Sequence, residues 1–181
     1  MNTTATALRF DRSRFRDVLG RFCTGVTIIS AVHEGAPAGF ACQSFASLSL
    51  DPPLVSFAVS KTSATGARIE QAGVFCATVL GADQADLCRR FGRSGGDKFA
   101  GVAWSPADVT GSPRLAGGIA WVDCRIEKVI PAGDHRIVVG RVMDLSAPEG
   151  TEDAGPLLYY RGGFLGPQSG RRAVAGPVAA A

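Results

Sequence analysis

The chain is short of histidine and lacks any paired-cysteine motif. His33 and His135 are its two imidazoles. Its five cysteines (23, 42, 76, 88 and 124) are never closer than twelve residues, so no Cys-x-x-Cys clip exists. That odd, scattered set argues against a disulfide framework and against structural zinc. Cys23, Cys76 and Cys124 lie in apolar stretches and are expected to be small core residues. No metal site is expected. The charge imbalance is slight, at +3 for 181 residues. Two of those charges are Arg171 and Arg172, in a small-residue tail, so no clustered basic stripe calls for nucleic acid. No apolar run approaches the ~18–20 residues that span a bilayer. The polar start, Met1 to Ala7, is unlike a signal peptide, which makes the cytoplasm the expected compartment. The standard phosphate loops are also missing: there is no Gly-x-Gly-x-x-Gly after a strand and no Walker-type loop.

What is present is mostly strand. Phe15, Val18, Leu19 and Phe22 share one face of a helix that Asp11 or Ser13 can cap. Residues 24–32 are β-branched, and His33 to Pro37 reads as a hairpin turn leading into a strand over 38–49. Asp51-Pro52-Pro53 stops that strand. Leu54 to Ser60 is of buried-strand type. Thr62 to Gln71 fits a short helix capped by Thr62 or Ser63, Val74 to Leu80 a strand, and Asp83 to Phe91 a helix with Leu87, Cys88 and Phe91 inward. Val122, Cys124 and Ile126 alternate with Asp123, Arg125 and Glu127, predicting a half-exposed strand with the charged set outward. After the Pro131–Asp134 turn, Ile137 to Leu145 returns, and Leu157 to Tyr160 closes the series. Many strands with few helices imply an antiparallel barrel rather than βαβ units. The expected division is an N-terminal segment 1–11, one domain over 12–165, and a disordered tail over 166–181.

Four segments carry candidate chemistry. Gly92-Arg93-Ser94-Gly95-Gly96 fits Gly-x-Ser-x-Gly, but a nucleophile elbow needs a strand before its serine, and here a helix-like stretch precedes it. A flexible glycine loop is the simpler reading, with a serine hydrolase as the competing one. Ser44, Ser47 and Ser49, then Ser60, Lys61, Thr62, Ser63 and Thr65, form two hydroxyl-rich clusters flanking a buried strand. Together with free helix N–H groups they can cradle a phosphate, or they are simply caps and solvated positions. His135, in Gly133-Asp134-His135, is either a solvated turn residue or part of a rim pocket. Tyr159 to Phe164 can stack on a planar ligand or cap the barrel.

Taken in order, several stretches resemble the flavin reductase family of FMN-binding split barrels, which includes the reductase partners of two-component flavin monooxygenases. They are Phe22 to Ile29, Gly39 to Val55 with its Ser47-Leu48-Ser49-Leu50-Asp51-Pro52-Pro53, and Ser60 to Thr65. Arg90 to Gly101, Ala132 to Val142 with Gly133-Asp134-His135, and Leu158 to Phe164 complete the set. The resemblance implies a mainly β fold with peripheral helices, an antiparallel six-stranded split β-barrel of the FMN-binding type. It implies a homodimer that moves a hydride from NADH or NADPH to FMN or FAD and supplies reduced flavin to a partner monooxygenase. Ala41, Cys42, Gln43, Ser44 and Ser49 would line the isoalloxazine and ribityl. Ser60, Ser63 and Thr65, with Lys61 beside them, would meet the phosphate; Arg93 or Phe99 would close over it. His135 would stand near the nicotinamide. The family often has threonine where Ala41 stands and serine where Gln43 stands. A barrel that binds flavin or haem without reductase turnover is the alternative.

Overall fold

The computed structural model describes residues 10–151 and 154–165. The expected tail (166–181) and most of the expected N-terminal segment lie outside the described residues.

The chain begins with helix α1 (Arg12–Leu19), where the Asp11 carboxylate accepts from the Arg14 amide at 2.8 Å. This N-cap holds the Asp11 carboxyl below its usual range, chiefly through the Arg14 amide and then the Ser13 hydroxyl. Strands β1 (Thr24–Gly25), β2 (Thr27–His33), β3 (Ala36–Cys42), β4 (Ala46–Leu50) and β5 (Pro53–Ser60) follow. Helix α2 (Ala64–Ala72), strand β6 (Val74–Val79) and helix α3 (Ala85–Gly92) come next. Then come β7 (Trp104–Pro106), β8 (Pro113–Leu115), the long pair β9 (Ala120–Ala132) and β10 (His135–Ser146), and finally β11 (Leu158–Tyr160) and β12 (Gly163–Leu165).

The main sheet is antiparallel throughout, in the order β3-β2-β6-β9-β10-β5-β4. It therefore has seven strands rather than the six expected, because β4 pairs onto the outer edge of β5. The β2–β3 turn is two residues, Glu34 and Gly35, both at positive φ (50° and 75°), which matches the twist of the flanking strands. The expected strand 38–49 breaks in two. Its interruption at 43–45 occurs where the Ser44 side chain turns aside to bond β5.

Side chains alternate along β2, and both of its faces are covered. Ile29 and Ala31 enter one core with Phe57 and Phe75, whose rings meet edge to face at 5.1 Å. Val26 and Ile28 enter a second core with Leu80, Cys88 and Phe91 of the α3 side. Two expectations are corrected. Asp123 is buried, not outward, because the 107–112 loop covers that face: the carboxylate accepts from the Thr110 amide at 3.0 Å and from its hydroxyl. Cys23 is exposed, just after the turn that ends α1, whereas Cys42, Cys76, Cys88 and Cys124 are buried free thiols. The Tyr159 and Phe164 rings pair across β11–β12 at 5.3 Å and pack on the second core, so that segment covers this core.

Candidate functional site

A groove of about 540 Å³ opens where the end of β3, the end of β5, the start of α2 and the glycine loop after α3 converge. Ala41, Cys42, Gln43, Ser44, Ser60, Ser63, Thr65, Arg93 and His135 all line it. Four separate sequence regions thus meet. The pairing of His135 on β10 with Ser60 on β5 brings the histidine to the α2 end.

That end is built from small hydroxyl residues. Ser63 is the N-cap of α2 and accepts from the Gly66 amide at 3.0 Å. The Ser60 and Thr62 hydroxyls lie 2.9 Å apart. First-turn amides such as those of Ala64 and Thr65 have no partner within a helix, so they are free to meet an anion. A Cβ on Gly66 would come within 2.5 Å of Val59 Cγ2, which shows how closely α2 is seated on β5. The basic lining side chains are Arg93, Lys98 and His135; no carboxylate lines the groove. Phe40, Ala41 and Val59 supply apolar wall. This donor set fits a planar ring carrying a phosphate.

His135 is about half exposed, and its Nδ1 lies 2.7 Å from Asp134 Oδ1. Nδ1 donates to that carboxylate, which fixes the orientation of the ring. The contact holds the Asp134 carboxyl below its ordinary range. Burial pushes the Cys42 thiol up and so disfavours the nucleophilic thiolate form, against the opposing 3.3 Å contact with Ser44.

Three named residues stand elsewhere. Ser49 pairs with Leu54 on the outer strand β4 and does not reach the groove. Lys61 Nζ is held by the Gly133 carbonyl at 2.6 Å, clasping the β9–β10 turn to β5. Phe99 is buried in the second core, edge to face with Phe91 at 5.0 Å, and faces a neighbouring cavity. Sequence reading missed Lys98. Its Nζ donates to Phe91 O at 3.1 Å and to Gly39 O at 3.4 Å, tying the glycine loop to α3 and β3. Burial lowers its ammonium pKa. Its one signal was a lysine two residues after the Gly95-Gly96 pair. Ser94 also lines the groove, but helix α3 rather than a strand precedes it, so no nucleophile elbow forms. Among the described residues no group of three or more His, Cys, Asp or Glu side chains gathers as a metal cage. No described helix is long and apolar enough to cross a membrane.

Comparison with known proteins agrees with this geometry. The flavin reductase like domain matches residues 19–167. The chain is 51% identical over 156 residues to the reductase subunit HsaB of a flavin-dependent monooxygenase from Rhodococcus jostii, covering 86% of this chain and 78% of that one. The crystal structure of a nitrilotriacetate monooxygenase component B homologue from Mycobacterium thermoresistibile superposes with a TM-score of 0.83 at 46% identity, covering 94% and 98% of the two chains. An NADH:FAD oxidoreductase from Streptomyces globisporus, solved with NAD and FAD fragments, gives 0.82 at 32% identity over 91% and 98%. With a family match across most of its length and a groove suited to a phosphate-bearing ring, the chain belongs to the flavin reductase family.

Proposed function

We propose that the protein is an NAD(P)H:flavin oxidoreductase that supplies reduced FMN or FAD to a separate monooxygenase. The observation that carries this reading is the groove itself: one end offers hydroxyls and helix amides for a phosphate, the charged lining is wholly cationic, and His135 stands at the open rim. The relatives named as reductase subunits support the same assignment.

Bound together, flavin and reduced nicotinamide supply the hydride transfer themselves. The protein's share is geometry. Ser60, Ser63 and Thr65 hold the phosphate against the α2 amides. Residues 41–44 form the edge against which the ring system lies. Arg93 closes from the glycine loop. His135 would position the nicotinamide against the flavin, and the apolar wall would limit water. In this reading Gln43 takes over polar contacts through an amide that donates and accepts, and Ala41 leaves them to the backbone.

The six strands β3-β2-β6-β9-β10-β5 are read as a split barrel whose gap, between β3 and β5, is bridged by Ser44. The proposed assembly is a homodimer. Leu50 (92% exposed), Leu145 (67%) and Leu48 (54%) leave apolar surface of the kind a second copy would cover. Five free thiols suit a reducing compartment, and the cytoplasm is the proposed setting.

The test is steady-state loss of reduced nicotinamide absorbance on adding NADH or NADPH with FMN, FAD or riboflavin. Catalytic oxidation that depends on added flavin is expected. Flavin binding without turnover would overturn the enzyme reading. A flavin that survives extensive dialysis would overturn the idea that it leaves to serve a partner.

A further inference from the structure

The groove does not end at the phosphate cradle. A neighbouring cavity of about 330 Å³ shares Ala64, Thr65, Gly95 and Lys98 with it. Those four residues mark the phosphate end, so a ligand seated in the main groove can continue past its first phosphate into this second trough. Its volume lies in the ordinary range of small-molecule pockets, about 300–1,000 Å³.

The trough has the lining a second phosphate requires. Arg68 stands three residues after Thr65 on α2, on the same helix face. Its guanidinium has one hydrogen bond, Nη2 to the Ala36 carbonyl at 3.3 Å, and among the described residues it makes no ion pair. Lys98 lies between the two cavities. Asp97 also borders the trough, but its Oδ1 accepts from the amides of Phe99 and Ala100 at 2.9 and 3.1 Å. Gly95 and Gly96, both at positive φ (76° and 71°), keep the opposite wall free of side chains. Pro37, Ala38 and Phe99 give apolar surface beyond. FMN, with one phosphate, would leave all of this unused.

We infer that the second trough is a subsite for the ADP half of FAD, with Arg68 and Lys98 on the second phosphate, so that the chain selects FAD over FMN. The inference rests on flavin occupying the main groove. A third cavity, beside Arg89 and Arg90, joins the groove along the glycine loop at Arg93, Ser94, Gly95 and Lys98, but it is a weaker candidate because it does not touch Ala64 or Thr65 at the start of α2, where the phosphate would sit.

The experiment is equilibrium binding of oxidised FMN and FAD to the full chain, followed by flavin fluorescence. FAD is expected to bind about tenfold more tightly, the scale of one charge-assisted hydrogen bond. Arg68→Ala should erase most of that ratio, weakening FAD about tenfold more than FMN. Arg68→Lys should restore part of it. Equal affinities for the two flavins, or a ratio indifferent to Arg68→Ala, would overturn the subsite while leaving the main groove's assignment standing. An Arg68→Ala variant whose defect is confined to KM for NADH would assign the trough to the nicotinamide dinucleotide instead and overturn the inference. If neither flavin binds, the main-groove reading falls and this one with it.

Discussion

Ser44 carries a structural and a functional load at one atom, and its replacement separates them. The register pairs Ala46 of β4 with Ser56 of β5. Ala58, two residues on, presents its N–H and C=O to the same side, where β4 has not yet begun. The Ser44 hydroxyl takes the place of the missing strand: it accepts from the Ala58 amide at 2.9 Å and donates to the Ala58 carbonyl at 3.2 Å. Each such bond contributes about 0.5–1.5 kcal/mol net, and Ser44 is exposed enough for water to replace part of it. Ser44→Ala should therefore cost about 1–2 kcal/mol, seen as a lower urea midpoint at unchanged m. A chain of this size should lose about 2–4 °C of Tm per kcal/mol. The same substitution frees the 41–44 edge of the groove, so flavin affinity should fall more than stability alone explains. Ser44→Thr, which keeps the hydroxyl, should recover both. If Ser44→Ala matches the parent in urea midpoint and in flavin affinity, the bridge between β3 and β5 has been misjudged.

His135→Ala should raise KM for the nicotinamide substrate more than it lowers kcat; a defect confined to kcat would contradict a positioning role. Gly66→Ala places a methyl within 2.5 Å of the buried Val59 side chain, and calorimetry should report a loss of about 1–3 kcal/mol together with weaker flavin binding. Burial, and then the nearby Asp123 charge, pushes the Cys76 thiol up to about 12 from 9.0. Above pH 9 the unfolded chain releases that proton while the folded one retains it, so stability should fall as pH rises from there toward 12. Cys76→Ala should flatten that slope by at most about 1.4 kcal/mol per pH unit, read from urea midpoints across the alkaline range; an unchanged slope would refute it.

The strands were legible because their signals are local. β2, β5, β6, β9 and β10 each announce themselves by β-branched runs or alternation, and the two-residue turns by Glu34-Gly35 and Gly133-Asp134. The Ser63 cap was equally local. What failed depended on distant neighbours. Asp123 alternates correctly along β9, yet it is buried because a loop thirteen residues earlier folds over it. The break between β3 and β4 exists because β5 supplies a partner for Ser44. Phe99 and Lys98 are adjacent in sequence, but α3 draws the ring into the core and leaves the ammonium at the groove. Helix α1 formed but ends at Leu19, short of Phe22, and its apolar residues Phe15, Val18 and Leu19 stay exposed, as does Phe22 beyond it. Periodicity tells which face is apolar, not what covers it.

A hydride passed between two small molecules asks nothing reactive of the protein, and the groove is consistent with that economy. The thiol at its wall, Cys42, is kept protonated by burial, and the one imidazole near it is held by an exposed carboxylate rather than by a hydroxyl nucleophile. What the lining does supply is direction: amides at one end, cations along the sides, an edge fixed through Ser44. In such a site the costly changes are those that move backbone, because a displaced ring loses alignment as well as contacts. A methyl at Gly66, which forces α2 away from β5, should therefore damage turnover more than loss of any single lining hydroxyl. Side-chain chemistry here is replaceable in a way that strand and helix placement is not.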